Sequence, residues 1–450
     1  ELWSRQTLMP GDLRYITGAP RAFDGKVIIG HGGADTSDVR GYVTAYDAIT
    51  GRRLWRFFTV PGDPAKGFED AAQAMAAKTW AGQWWKHGGG GTVWNAITYD
   101  AETRTILLGT GNGAPWNWHV RSAGVGDNLF LCSIVALDAD TGRYKWHYQV
   151  NPSDSWDYNA SMDMHLAELA IAGVRRKVIV TAPKNGFLYV IDRGNGKLIS
   201  AEKIARATWA SRIDVQTGRP VEDPDAHYPG GKTFELWPSP MGAHTNLPSA
   251  FSPQTGLVYV PVGEQGITFN DRGIDPRTWR RRPYGQGDFA ANAGYGEKPY
   301  ILPGKSRLSA WDPVAQKEVW AVPTPMFWNG GLMTTAGGLV FQGQADGRFG
   351  AYDARTGRAL WSVNAPGAVL AAPISYRAGG KQYVTVLTGM SLTAAIVAVL
   401  PQRFDYWTQG RKVLTFALDG KAPMPSAPVY HLNVIADAEY RPDTTAEARG

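Results

Sequence analysis

The stretch Ala45-Tyr-Asp-Ala-Ile-Thr-Gly-Arg-Arg-Leu-Trp55 returns as Ala136-Leu-Asp-Ala-Asp-Thr-Gly-Arg-Tyr-Lys-Trp146 and a third time as Ala351-Tyr-Asp-Ala-Arg-Thr-Gly-Arg-Ala-Leu-Trp361. Three near-copies are a repeat, and weaker versions run from Val190 to Ser200 and from Ala310 to Trp320. The pattern is a strand, an Asp-x-x-Thr-Gly turn and a second strand closing on an aromatic. Asp bonds its own turn backbone, Gly takes the positive φ, and the alternating apolar residues suit a two-sided sheet. A hairpin recurring at irregular intervals of some tens of residues, with variable loops between copies, is the sequence sign of a β-propeller. The expectation is an all-β propeller with about six blades present, the last suggested by Phe416-Ala-Leu-Asp-Gly420. The closing Trp of each copy then packs between neighbouring blades and carries the fold rather than the chemistry.

Composition agrees. Gly 53, Pro 29 and Trp 18 in 450 residues, with 19% charged, describe short strands joined by tight turns rather than a helical bundle or a low-complexity chain. The net charge of +6 raises nucleic acid as a partner, but the basic residues are scattered, with one dense cluster at Arg277 to Arg282 around Trp279. Nucleic-acid binding is therefore not expected. Cys132 is the single cysteine, which leaves no disulfide framework, no cysteine zinc site and no Cys-x-x-Cys-His haem attachment in this stretch. The most apolar run, Val384 to Leu400, contains Gly389 and Ser391 and stops at Pro401, short of the ~20 residues of a membrane span. Two buried strands explain it, and no span is expected.

Propellers place their sites at blade ends around the axis, in the loops that interrupt the repeat. Those loops hold Ile16-Thr-Gly-Ala-Pro20 with Gly30-His-Gly-Gly-Ala-Asp35, Gly88-Gly-Gly-Gly-Thr-Val-Trp94, Gly109-Thr-Gly-Asn-Gly-Ala-Pro-Trp116, and Asp154-Ser-Trp-Asp-Tyr158 followed by Ala182-Pro-Lys-Asn-Gly-Phe187. The glycine run at 88–91 lacks the Gly-Lys-Ser/Thr of a phosphate loop and reads as close backbone packing. Asp35, Asn112 and Asp157 offer the oxygen ligands a hard cation prefers, although each taken singly reads more readily as a turn residue than as a ligand. Lys184 by itself reads as a solvated charge.

The blocks Thr17-Gly-Ala-Pro20, Arg40-Gly-Tyr-Val-Thr-Ala-Tyr-Asp47, Gly91-Thr-Val-Trp94, Gly109 to Trp116, Asp154 to Tyr158 and Lys184-Asn-Gly-Phe187 together resemble those of the quinoprotein alcohol dehydrogenases, in the family's order and at similar spacings. The resemblance covers nearly the whole chain and is strongest between residues 14 and 200. It implies an eight-bladed propeller with pyrroloquinoline quinone (PQQ) on its axis over a calcium ion. It further implies Asp157 as catalytic base and metal ligand, Asn112 as amide ligand, and Trp94 as the indole stacked under the quinone. Thr17, Gly33 and Ala34 match residues that bond the quinone's carboxylates, and Lys184 matches the cation beside its reactive carbonyls. In that scheme the metal and Lys184 draw charge toward the quinone oxygen while Asp157 takes the alcohol proton.

Departures stand beside the matches. The family's first metal ligand is a Glu, where this chain has Asp35 in a loop one residue longer before Arg40. The family's His-Asn-Trp corresponds to His244-Thr-Asn246, which makes Asn246 a candidate at the cofactor's other edge. Lanthanide-using relatives carry a second Asp two residues past the base, where this chain has Asn159, which favours calcium. By the same comparison residues 1–425 form the propeller with N-terminal blades absent, and 426–450 form a linker toward a cytochrome c domain that would carry haem c outside this chain. The function expected is periplasmic oxidation of a small alcohol, with electrons passed to a c-type cytochrome. The alternatives are a non-catalytic propeller scaffold of the outer-membrane assembly type and a quinoprotein for polyols, aldoses or polymer alcohols.

Overall fold

The computed structural model describes residues 1–8, 11–34, 37–281, 289–293, 301–390, 404, 406–407 and 409–426. Six successive antiparallel meanders follow the repeat. Five have four strands and run over residues 21–58, 97–149, 165–203, 250–323 and 332–364. The sixth has three described strands, Ile374–Ala378, Lys381–Leu387 and Val413–Ala417, the last of which contains the Phe416 predicted for that blade. Of the apolar run from Val384, the first part lies in a strand with only Val386 fully buried, and residues 391–403 are outside the described residues, as is nearly all of the expected 426–450 linker. Among the described residues no helix is long and apolar enough to cross a membrane.

The repeat turns take the form their sequence dictates. Asp47 Oδ1 accepts the N–H groups of Ile49 and Thr50 at 3.0 and 2.7 Å, and Asp138 and Asp353 repeat the arrangement in their own turns. The turns end on Gly51, Gly142 and Gly357, all at positive φ. One residue further, each hairpin carries a β-bulge, so that Trp55 pairs with Ala45 while Arg53 pairs with Tyr46. The same slip puts Trp146 opposite Ala136 and Trp361 opposite Ala351. A bulge bends its strand and re-aims the next side chain, here the closing indole.

That indole lands on the neighbouring blade. A Cβ added at Gly51, Gly142, Gly196 or Gly357 would stand 2.4–2.5 Å from the ring of Trp3, Trp55, Trp146 or Trp320 respectively. The ring N–H often completes the contact, as where Trp55 Nε1 donates to Ala139 O at 3.2 Å and Trp320 Nε1 to Ala354 O at 3.2 Å. Trp361 is different: it is 40% exposed and its ring meets Phe416 edge-on at 5.3 Å.

This docking yields a matched pair of substitutions. Gly142→Ala places a methyl inside the Trp55 ring as well as forcing Ala into φ +69, whereas Gly173→Ala at φ +77 meets nothing within 4 Å. We expect Gly142→Ala to lose about 2–4 kcal/mol in denaturant unfolding and Gly173→Ala only about 1, the cost of the backbone alone. Equal losses would remove the docking contact from the stability of the propeller.

Candidate functional site

Chain topology brings the singled-out residues to one end of the propeller. In an antiparallel meander, the segment entering the first strand and the loop joining the second strand to the third share an edge. Thr17, Trp94, Asp157 and Asn246 lie in segments entering the first strands of blades one to four. Gly33, Ala34, Asn112 and Lys184 lie in the second-to-third-strand loops of blades one to three. Asp35 falls in the same loop as Gly33 but outside the described residues. The Asp-x-x-Thr-Gly turns join third to fourth strands and sit at the opposite end.

Asp157 is buried, 6% exposed, and adopts φ +64, the left-handed region that Asp tolerates better than most residues. Its neighbours hold it there. Trp156 and Tyr158 are fully buried and tether both flanks, Trp156 Nε1 to Ala226 O at 2.8 Å and the Tyr158 hydroxyl to Pro238 O at 2.6 Å. Asp154 Oδ1 accepts the N–H of Trp156 at 3.4 Å and of Tyr158 at 3.1 Å. From behind, the fully buried Arg121 donates to the carbonyls of Asp154, Pro115 and Trp116 at 2.6, 2.7 and 2.7 Å. Burial pushes the Arg121 guanidinium down to about 10, which still leaves it charged at neutral pH.

The carboxylate of Asp157 meets donors from Lys184 and Asn159. Lys184 Nζ lies 2.8 Å from Oδ2 and 3.1 Å from the Asp157 carbonyl, with both side chains 9% exposed. Asn159 Nδ2 donates to Oδ1 at 3.1 Å and to the same carbonyl at 2.8 Å. Asn159 Oδ1 in turn accepts Trp94 Nε1–H at 2.9 Å. Lys184 is far from the solvated charge that its sequence alone suggests.

The other candidates gather around this chain of contacts. Asn112 is 3% exposed, and the preceding Gly111 is so near the base loop that a Cβ there would stand 3.2 Å from Asn159 Oδ1. The glycine run does pack closely: a Cβ on Gly90 would come within 2.4 Å of the Asn112 carbonyl. Gly18, next to the exposed Thr17, abuts the Trp94 carbonyl, and Gly30 abuts that of Val93. Burial pushes His31 down to about 4, so its ring is neutral. His31 Nε2 accepts the Tyr42 N–H at 3.2 Å, which leaves Nδ1–H to hold Gly32 O at 3.0 Å beside Gly33. Asn246 is exposed on a turn tied to Lys184 by the Ala243 N–H bond to its carbonyl, 2.9 Å. It borders a cavity of about 340 Å³, walled by Leu247, Trp328, Leu370, Thr388 and Met390 from the same end of blades four to six. Cys132, fully buried, faces the Tyr158 carbonyl behind the base loop.

These residues fit a flat quinone and a hard cation. Asn112 and Asp157 supply an amide and a carboxylate oxygen, the ligand types calcium takes, and Trp94 supplies a partly open aromatic ring. Among the described residues no group of three His, Cys, Asp or Glu side chains is disposed to hold a metal, so the set would be completed by Asp35 or by groups outside them.

The family profile described as "PQQ: Glucose/ethanol/alcohol dehydrogenase, beta-propeller domain" matches residues 5–206 and 281–384. The chain belongs to this PQQ propeller family. It is 49% identical to the quinohemoprotein alcohol dehydrogenase ADH IIB of Pseudomonas putida over 427 residues, 94% of this chain and 61% of that protein. The crystal structure of the quinohemoprotein alcohol dehydrogenase from Comamonas testosteroni superposes with a TM-score of 0.84 at 48% identity, covering 92% of this chain and 61% of that one. A europium-containing methanol dehydrogenase superposes at 0.72 with 33% identity, covering 84% and 66%. The chain thus spans about three fifths of the length of the quinohemoprotein relatives.

Sequence reasoning missed the bridging part of Asn159, which it treated only as a departure, and missed Arg121 and His31 altogether. Arg121 lies on the short helix Trp118–Ser122, and nothing in its local sequence marks it as fully buried.

Asp154 gives the PQQ propeller a pH signature. Its carboxyl is fully buried, Oδ2 finds no hydrogen-bond partner among the described residues, and burial raises it from 3.8 to about 6 against the opposing charge of Arg121. The folded protein therefore keeps a proton that the unfolded chain has released, and stability falls as pH rises through the window from 4 to 6. The gap is worth roughly 3 kcal/mol at most. Urea unfolding at pH 4 and pH 7 should show the parent losing about 2–3 kcal/mol relative to Asp154→Asn across that range; parallel behaviour of the two would mean that Asp154 is not the group that titrates.

Proposed function

We propose that this chain is the quinone-binding part of an enzyme that oxidises alcohols to aldehydes or ketones with PQQ and calcium, working in the periplasm and passing electrons to a c-type cytochrome. The observation that carries the reading is the buried Asp157–Lys184 pair, joined through Asn159 to Trp94 at the axial end of a PQQ-family propeller. Relatives named quinohemoprotein alcohol dehydrogenase support an alcohol as substrate and haem c on a domain outside this chain. A 42% identical protein of Thauera butanivorans, named 1-butanol dehydrogenase (cytochrome c), supports the acceptor. The periplasmic placement rests on the family resemblance.

When bound, the quinone supplies a two-electron hydride acceptor and calcium a Lewis acid. The protein's own residues do the rest. Asp157 accepts the hydroxyl proton of the alcohol, so that loss of hydride from the carbon leaves a neutral carbonyl product. Lys184 and Asn159 each hold one oxygen of the carboxylate, Oδ2 and Oδ1, which fixes the orientation in which it takes that proton. Lys184 fixes the direction of the carboxylate and balances its charge in a site too buried for water to do so. Trp94 offers stacking area to the flat cofactor, with Thr17, Gly33 and Ala34 at its rim. Asn112 and Asp157 would hold the metal, with Asp35 as the third ligand the resemblance implies, and Asn246 would border the cofactor.

A scaffold for protein assembly would have no use for a buried ion pair at the axis.

Loading the protein with PQQ and calcium and following dye reduction with ethanol tests the reading directly. Asp157→Asn keeps a residue that tolerates positive φ, so it should fold and retain quinone while turnover drops roughly a hundredfold or more. Trp94→Ala should instead lose quinone on dialysis, since the missing term is stacking area. Full turnover by Asp157→Asn would remove it from the mechanism. Asp35→Ala should raise the calcium concentration needed for half-maximal activity several-fold, the loss of one of the 6–8 oxygen ligands calcium takes; an unchanged titration would make Asp35 a turn residue.

A further inference from the structure

Asn159 touches three residues of the proposed machinery, Trp94, Asp157 and Lys184. Its side chain is 1% exposed, and its orientation is settled by its neighbours. The Trp94 indole N–H can only donate, so it must face Oδ1, and Nδ2 is thereby turned to Asp157. The amide then donates to both the carboxylate and the carbonyl of Asp157, at 3.1 and 2.8 Å. Its main chain continues the link, because the Lys184 N–H approaches the Asn159 carbonyl at 3.4 Å. Gly111 packs over the amide on the side toward Asn112, where any Cβ would crowd Oδ1.

We propose that Asn159 is a positioning residue that locks the indole of Trp94 and the carboxylate of Asp157 in one frame, so that cofactor platform and base keep a fixed relation. This deepens the function proposed above and rests on it. The amide acts through its neighbours, with no contact of its own to reacting atoms. It is suited to the task because it presents an acceptor and a donor side by side. A carboxylate in its place would keep the acceptor for the indole but turn an oxygen toward Asp157. Alanine would break both links.

The two replacements therefore separate. In protein expressed from its complete gene and loaded with PQQ and calcium, Asn159→Ala should lower both quinone affinity and kcat roughly tenfold, the weight of about one hydrogen bond to a charged group. Asn159→Asp should keep quinone affinity within about twofold while kcat falls at least as far as in the Ala variant, with KM for ethanol little changed in either. Quinone-free protein carrying 15N-tryptophan gives a second readout, with the Trp94 signal assigned by its loss in Trp94→Phe. The Trp94 indole proton should exchange with solvent at least tenfold faster in Asn159→Ala than in the parent, and remain protected in Asn159→Asp.

A parent that binds quinone and turns over, matched by both variants within twofold, overturns the role of Asn159 and leaves the functional reading standing. Losses in kcat that simply track a fall in melting temperature, equal in Ala and Asp, overturn it as well by reducing Asn159 to a structural residue. A parent that takes up no quinone overturns the functional reading and the role of Asn159 with it.

Discussion

An indole packed against a bare glycine sets the angle between one blade and the next, and the site depends on that angle. The contact leaves no room for a side chain, so the ring approaches the turn of the neighbouring blade to within van der Waals reach of its backbone. The bulge one step earlier in the hairpin is what aims the ring outward at its neighbour. At Gly142, Gly196 and Gly357 the contact joins blade one to two, two to three and four to five, and Gly51 meets Trp3 in the same way ahead of the first blade. Trp94 and Asn159, 65 positions apart in sequence and on neighbouring blades, then hold a hydrogen bond of 2.9 Å.

What the docked blades position is a set of alternating loops, one entering each blade and one crossing its middle. Trp94, Asn112, Asp157 and Lys184 are successive members of that set, which is why an indole, an amide, a carboxylate and an ammonium from four segments meet at one end. A buried pair such as Asp157 with Lys184 adds little net stability, because desolvation consumes most of the Coulombic gain. Its value here is directional. Left-handed backbone at Asp157 carries strain of order 1 kcal/mol or more, held by the bonds that Asn159 and Lys184 make to its carbonyl.

The architecture was legible in the sequence because the repeat turn is a local device. Asp47, Asp138 and Asp353 bond the turn that follows them whatever surrounds it, and the closing Trp and its glycine recur at fixed offsets. The candidate residues were found by resemblance, and the rule that places them together, loops of alternating kind at one blade edge, needed strand order that only the fold supplied. Arg121 and Asn159 were illegible for a physical reason. Arg121 is enclosed by the loop just before its helix, 113–116, together with Asp154, and Asn159 by Trp94 and Gly111 from another blade, and nothing in a five-residue helix or in Tyr-Asn-Ala announces such partners. Asp35, where chain and family part, lies outside the described residues.

Behind the base loop the balance of buried charge is nearly even. Arg121 stays cationic despite its burial, and Lys184 stands beside Asp157. Asp154 completes the group: protonated, it leaves the two cations facing one carboxylate, and ionised it evens the count. Burial outweighs the pull of Arg121 and Lys184 on Asp154 and raises its carboxyl to about 6. A divalent ion held by Asn112 and Asp157 would add to that pull and draw the Asp154 proton off. Were an ion bound there, binding would favour loss of the Asp154 proton and loss of that proton would favour binding.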